Sequence, residues 1–416
     1  MVSVILTARD PFFRGINIMK RLVLLHTILL VSCSGRLAQN SGPDIIEVAE
    51  SFENKQKIYL SQFVSDIDYI PLETGSHSIL SDHPVIKVGK FIVTRNRGLN
   101  QILCVFNRNG SYLHEIGKIG RGPEEYFTAA PNFYNIYNED IYTMDETNRK
   151  IIVFNSDGTY IETFNAPEWD EQSIVGGKNY GYIQGFLPGD IFASFTNNFN
   201  GAVRTKLVLF TQDSIIRIFP KYLHWGNPGR NKNLVFNFTN FIHWDNNLYF
   251  KEVFNDTVFK VTTDTLLPRM IFDLGKYGLP YEKQNKIISP EGHFQNEYFM
   301  ITDMDENTGY FFFQLWFQNK LWTSFFDKRS KTTTICDLTR DSISGLIDDL
   351  NGFITIVPAD FTVDNEMVSI LSPDQIIEWK KNNPDKVGQI SKKLPWLKTY
   401  SELSNPVVVI GKCKMY

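Results

Sequence analysis

The stretch Val105-Phe106-Asn107-Arg108-Asn109-Gly110-Ser111-Tyr112-Leu113 aligns without gaps on Val153-Phe154-Asn155-Ser156-Asp157-Gly158-Thr159-Tyr160-Ile161, 48 residues further along the chain. In each copy an apolar run meets Asn-Gly or Asp-Gly and then resumes as an alternating run. That is the pattern of a β-hairpin, and it predicts a type I′ turn with positive φ at both central residues. Weaker copies follow at Val208 to Ser214, Thr257 to Asp264 and Trp322 to Ser330, each leading into a second strand-like run. With the aligned Phe106, Phe154, Phe210, Phe259 and Phe326 as a ruler, the spacings are 48, 56, 49 and 67 residues. A unit of this length with period-two alternation fits one four-stranded propeller blade better than a helical repeat.

Five hairpins are counted in this way, and the residues 352–369 with the run 406–412 supply strands for a sixth. Near the other end, Ile67-Asp68-Tyr69-Ile70-Pro71-Leu72 is a strand without a hairpin partner. Pairing it with Pro406-Val407-Val408-Val409-Ile410 in one sheet would remove two exposed edges together. The expected fold is therefore all-β: a six-bladed β-propeller of four-stranded antiparallel blades, closed by pairing of N- and C-terminal strands, with short helical insertions. One insertion is Ser372-Pro373-Asp374-Gln375-Ile376-Ile377-Glu378-Trp379, with Ser at the N-cap and Pro at the first helical position. Another is the extra length over 276–299.

Composition agrees with a sheet protein. The 416 residues are 43% hydrophobic and 14% aromatic, with 33 Phe and 18 Tyr, side chains that pack well on pleated surfaces. A formal charge of -4 gives no general attraction for a phosphate backbone, so nucleic acid is not an expected partner.

The first residues read as a targeting signal rather than as fold. Met19-Lys20-Arg21 is basic, residues 22–31 form a mostly apolar run too short to span a bilayer, and Leu30-Val31-Ser32-Cys33 matches a bacterial lipobox. Cys33 is the expected lipidation site and Met19 the expected start. Residues 1–33 are thus assigned to the upstream extension and signal peptide, 34–54 to a flexible tether, and 55–416 to the propeller. No acidic cluster follows Cys33; in lipoproteins of the type that this lipobox resembles, such a cluster often accompanies display on the outer face, so its absence implies an envelope location at the outer membrane, facing the periplasm. Cys104, Cys336 and Cys413 are widely spaced, which suits buried free thiols rather than a disulfide framework or a zinc site.

The run Met144-Asp145-Glu146-Thr147-Asn148-Arg149-Lys150-Ile151-Ile152-Val153-Phe154, followed by Asp157-Gly158, resembles an NHL-type propeller repeat. With the lipobox, Ile70-Pro71-Leu72-Glu73-Thr74, the crossover Gly120-Arg121-Gly122-Pro123-Glu124-Glu125-Tyr126 and the closing Asn405-Pro406-Val407-Val408-Val409, the chain is similar to the six-bladed propeller lipoproteins of the Bacteroides group. Glu124 stands where such a crossover would carry Gly. The resemblance implies a fold and a location, and no substrate.

Candidate binding residues are sparse. Arg121, Glu124 and Tyr126 lie in the crossover, where they could face the mouth of a central channel or form an ordinary solvated turn. His224-Trp225 and His243-Trp244 recur as a pair, which fits either a stacking rim for a sugar or peptide or aromatic packing between blades. Asp303-Met304-Asp305-Glu306-Asn307 begins like a calcium loop but lacks its Gly and bidentate Glu, so an acidic turn is the plainer reading. There is no H-E-x-x-H, no G-x-S-x-G and no phosphate-loop pattern. The expected function is a non-enzymatic binding or scaffold module for a glycan, peptide or envelope protein, with no cofactor. The alternative is a metal-dependent propeller enzyme, lactonase- or lyase-like, holding Ca or Zn at the central channel.

Overall fold

The computed structural model describes residues 42–415, leaving aside 82–83, 97–101, 128, 136–137, 146, 173–177, 181–182, 196–202, 223–239, 253–254, 281–282, 284–293 and 338–343. Six antiparallel sheets follow one another along the chain. Blades 1 to 5 are built from consecutive strands, beginning with Val85–Val88, Ala129–Tyr134, Gly185–Leu187, Asn240–Trp244 and Met300–Glu306. Blade 6 orders Asp360–Phe361, Glu366–Leu371 and Val407–Cys413 from the end of the chain, then takes Val64–Pro71 as its fourth strand. The expected closure is therefore present, with Ile70 opposite Val408 and Tyr69 opposite Val409.

Six clusters of buried apolar side chains hold the ring together, one at each junction between neighbouring blades. The third strands explain why. In Lys150–Phe154 of blade 2, Ile151 and Val153 face blade 3 while Ile152 and Phe154 face blade 1. Successive side chains of a strand point to opposite faces, and a strand covered on both faces loses its polar alternation. The same reason makes Leu103–Phe106 and Thr205–Phe210 almost continuously apolar.

Both leading hairpins close in the same way, which corrects the expected turn type. The Gly110 N–H donates to Asn107 O at 3.0 Å and Gly158 N–H to Asn155 O at 2.9 Å, and the glycines sit at φ +90° and +87°. Neither Asn109 nor Asp157 has positive φ. This is a type I turn followed by a left-handed glycine, and the additional residue bulges the ladder at Phe106 and at Phe154. Asn at the first turn position favours it, since Asn107 Oδ1 and Asn155 Oδ1 accept backbone N–H groups of the loop. A Cβ on Gly110 would stand 2.3 Å from Pro71 O, so this glycine also lets blade 1 close onto blade 6.

Residues 44–53 correct the assignment of 34–54 to a tether. Asp44–Glu47 pairs in parallel with the outer strand of blade 4, and Val48–Glu53 is a helical turn and a half. Ile46, Val48 and Phe52 are buried in the junction between blades 4 and 5, apolar anchors that a polar linker would not offer. The insertion after Ser372 is helical as expected, with a complete capping box between Ser372 and Gln375. A second helix, Pro384–Lys393, continues beyond Asn383. Cys104, Cys336 and Cys413 are buried free thiols.

Candidate functional site

The first strand of each blade lines the axis of a propeller, so any charge on it is enclosed by the ring. Five such side chains meet here: Lys87 from blade 1, His243 from blade 4, Asp303 and Asp305 from blade 5, and Asp360 from blade 6. Lys87 Nζ donates to Asp360 Oδ2 at 2.9 Å across the junction of blades 1 and 6. Lys87 is ringed by protein yet retains 46% of its side-chain surface accessible, the signature of a group that lines an open channel.

Asp303 and Asp305 belong to the regular strand Met300–Glu306, not to an acidic turn or a calcium loop. The period of two places both carboxyls on one face, while Met304 packs in the apolar junction with blade 4. Asp305 bridges blades 5 and 6: its Oδ2 accepts Phe361 N–H at 2.7 Å and its Oδ1 accepts Glu306 N–H at 2.8 Å. Asp303 Oδ1 accepts Met304 N–H at 2.9 Å.

The electrostatics follow from one cation among three carboxyls. Burial, then the charge of Asp360 and a hydrogen bond to it, raises the Asp305 carboxyl well above its ordinary range. A second carboxyl so close makes the Asp305 carboxyl harder to ionise. Asp303 is pushed up to about 6, first by its surroundings and then by Asp360. Enclosure pulls the Lys87 ammonium down, but Asp360, Asp305 and Asp303 outweigh it and the net shift is upward. His243 is lowered to about 4 by burial and by the charge of Lys87, and its Nε2 accepts Phe186 N–H at 2.9 Å. It is therefore neutral, with its proton on Nδ1.

Beside these carboxyls runs a narrow cleft whose walls include Phe312, Gln314, Asp360 and Phe361. Gln314 is 7% exposed, and its Oε1 has no hydrogen-bond partner. Its Nε2 donates to Thr323 Oγ1 at 3.3 Å. The arrangement can accept hydrogen bonds, hold a proton and orient a donor. Lys87 is held charged, and the ring lone pair of neutral His243 is occupied by Phe186 N–H, so neither presents a free nucleophilic lone pair.

The residues singled out from sequence fare differently. Arg121 and Glu124 are exposed, and among the described residues neither forms an ion pair. Glu124 does not need glycine's conformation, because the turn is closed instead by Glu125 Oε2 accepting Gly122 N–H at 2.8 Å. Tyr126 as a ligand contact is corrected: it is 1% exposed, plugs the junction of blades 1 and 2, and donates its hydroxyl to Ile116 O at 2.8 Å. His243 reaches the axis. Its neighbour Trp244 points to the junction with blade 5, where the Lys328 ammonium lies 4.2 Å from its ring centroid. His224, Trp225 and Cys33 lie outside the described residues. Sequence reading missed Lys87, Asp360 and Gln314. A lone Lys inside Val85-Ile86-Lys87-Val88 was the available signal, an inward charge on an otherwise apolar strand.

Among the described residues, no three His, Cys, Asp or Glu side chains are grouped to hold a metal ion. Asp303, Asp305 and Asp360 do not supply one, because the Lys87 ammonium stands among them and repels a dication. The described residues at the axis therefore do not fit the Ca or Zn site of the alternative reading.

The sequence matches, over residues 43–412, a family described as a domain of unknown function, DUF4934. The chain belongs to that family. No curated protein matches it. Among solved structures, this DUF4934 member is similar to a protein from Bacteroides fragilis whose name proposes that it is exported, at 15% identity and a TM-score of 0.59, covering 89% of this chain and 99% of that one. A member of the DUF4221 family from Bacteroides vulgatus gives 12% identity and a TM-score of 0.42, over 63% of this chain and 82% of that one. Virginiamycin B lyase from Staphylococcus aureus gives 12% and 0.35, over 73% and 81%. The first likeness shows the propeller fold, and the other two carry no argument. Among the described residues no helix is long and apolar enough to cross a membrane.

Proposed function

We propose that this chain is an exported, lipid-anchored binding module that holds a glycan, peptide or envelope protein at the axis of its propeller. The observation that carries the reading is the surplus of acceptors there. Three carboxyls share one ammonium, and a buried amide oxygen beside them is left without a donor. Native interiors rarely leave such groups unpaired, and a ligand bringing N–H or O–H donors would complete them. The lipobox ending at Cys33 supports export and anchoring at the outer membrane facing the periplasm, and the name of the Bacteroides fragilis protein points the same way.

Two measurements test this. On glycan and peptide arrays, ligands retained by the native protein should be lost by Asp305→Asn and kept by Arg121→Ala; equal retention by both variants would move the site away from the axis. Cys33→Ala should release the protein from the membrane fraction, and unchanged retention would defeat the lipid anchor.

A further inference from the structure

Resting on that binding function, we propose that the cleft between blades 5 and 6 recognises a primary ammonium group. Its lining is richer in acceptors than in donors. Lys87 donates to Asp360, Met304 N–H to Asp303, and Phe361 N–H and Glu306 N–H to Asp305, so three carboxyls share one side-chain cation while Gln314 Oε1 has no donor. The orientation of the Gln314 amide is fixed. Its Nε2 gives a hydrogen to Thr323 Oγ1, whose own proton goes to Ser344 O at 2.8 Å, so Oε1 is the atom left without a donor, buried in the cleft wall.

The shape selects among donors. Asp303 and Asp305 approach from one strand, Gln314 from the next, and Asp360 from the neighbouring blade. Acceptors converging from different strands suit a compact centre with three rotatable N–H bonds, which is an ammonium. A guanidinium fork would need two acceptors side by side in its plane. The half-buried Phe361 ring, backed by the buried Phe312 ring with centroids 4.8 Å apart, forms an apolar wall against which an alkyl stem can lie and a cation can be attracted.

Binding carries a proton signature. The Asp305 carboxyl is raised well above its ordinary range by burial and by Asp360, and an arriving ammonium favours its ionised form, so binding drives proton release from Asp305 to the solvent. The charged and titratable groups facing Asp305 and Asp360 are Lys87, Asp303 and His243. Lys87 and His243 keep their protonation state near neutral pH. Asp303 titrates near 6 and releases a further part of a proton when binding is measured at that pH.

The test is calorimetric titration of the folded propeller with n-butylammonium chloride at pH 6, in two buffers of different ionisation enthalpy. Saturable binding with net proton release is expected, weakened about tenfold by Gln314→Met and by Asp305→Asn. Thermal melts of both variants verify folding. Tetramethylammonium, which has no N–H, should not bind. Equal binding of tetramethylammonium, preferential binding of calcium, or no binding of butylammonium to the native protein would overturn the proposal. Glycinamide, Nα-acetyl-lysine amide and glucosamine then separate a peptide N-terminus, a lysine side chain and an amino sugar as the source. If every ammonium probe fails while array ligands remain sensitive to Asp305→Asn, axial binding stands and the ammonium assignment falls. If the array ligands ignore that substitution as well, axial binding falls with it.

Discussion

The strand Met300–Glu306 serves two charged regions of opposite character. On its side toward blade 4, Glu306 is 1% exposed and meets two cations: Arg269 donates to it in fork geometry at 2.8 and 2.7 Å, and Lys328 Nζ lies 3.6 Å away. The Arg269 guanidinium in turn covers the Tyr249 ring at 3.9 Å. On its side toward the axis, Asp303 and Asp305 share with Asp360 the single cation Lys87. One carboxylate with two cations is complete as it stands, and serves to join blades. Three carboxyls with one cation are incomplete, and their excess acceptor capacity is directed at the channel. Adjacent residues of one strand can therefore belong to the scaffold and to the site, separated only by the pleat.

Removing the complete network should cost the most. Glu306→Gln leaves Arg269 and Lys328 partly buried without their counter-ion, and a loss of about 3–5 kcal/mol is expected in urea denaturation. A loss below about 1 kcal/mol would mean that solvent already screens the pair and that the contrast is false. Lys87→Met should cost less and behave differently with pH. Without the ammonium, which lowers both groups, Asp303 and Asp305 titrate still higher in the folded chain. A carboxyl raised above its unfolded value contributes no penalty below that value and an increasing one as pH rises toward the folded value. The variant should thus match the native protein near pH 4 and fall behind it at pH 8; a deficit independent of pH would point to lost packing instead. The smallest effect, opposite in sign, is expected for Asp303→Asn. Ionising Asp303 costs folding free energy between its ordinary pKa of 3.8 and about 6, so the amide should melt slightly higher than the native protein at pH 8 and no higher at pH 4. A stabilisation equal at both pH values would show that Asp303 is not crowded.

The blades were legible in the sequence because their information is local. Asn107 with Gly110 and Asn155 with Gly158 carry a whole hairpin within a few residues, and the unpaired run at Ile67 called for an edge partner that Val407–Cys413 supplies. Even there the turn type was misread, because Asn-Gly looks the same whether one or two residues adopt positive φ. The site was not legible, because its members are far apart in the chain: Lys87 meets Asp360 only once the ring has closed. Asp303 and Asp305 were noticed, but their spacing fits a turn or a strand equally well; the alternation with Met304 and Glu306 is what marks a strand. The run at 44–53 was misassigned for a related reason, since Ile46, Val48 and Phe52 gain meaning only from the groove that receives them.

The final sheet, in which Val64–Pro71 lies beside Val407–Cys413, bears on how the chain reaches its native state. Closing so long a loop is entropically costly and kinetically slow. A nascent polypeptide lacks the last partner until synthesis is nearly complete, so until then its early segment has nowhere to dock, and Lys87 cannot find Asp360. Circle and cleft should arise in a single late event, and a chain terminated before residue 407 would lack both.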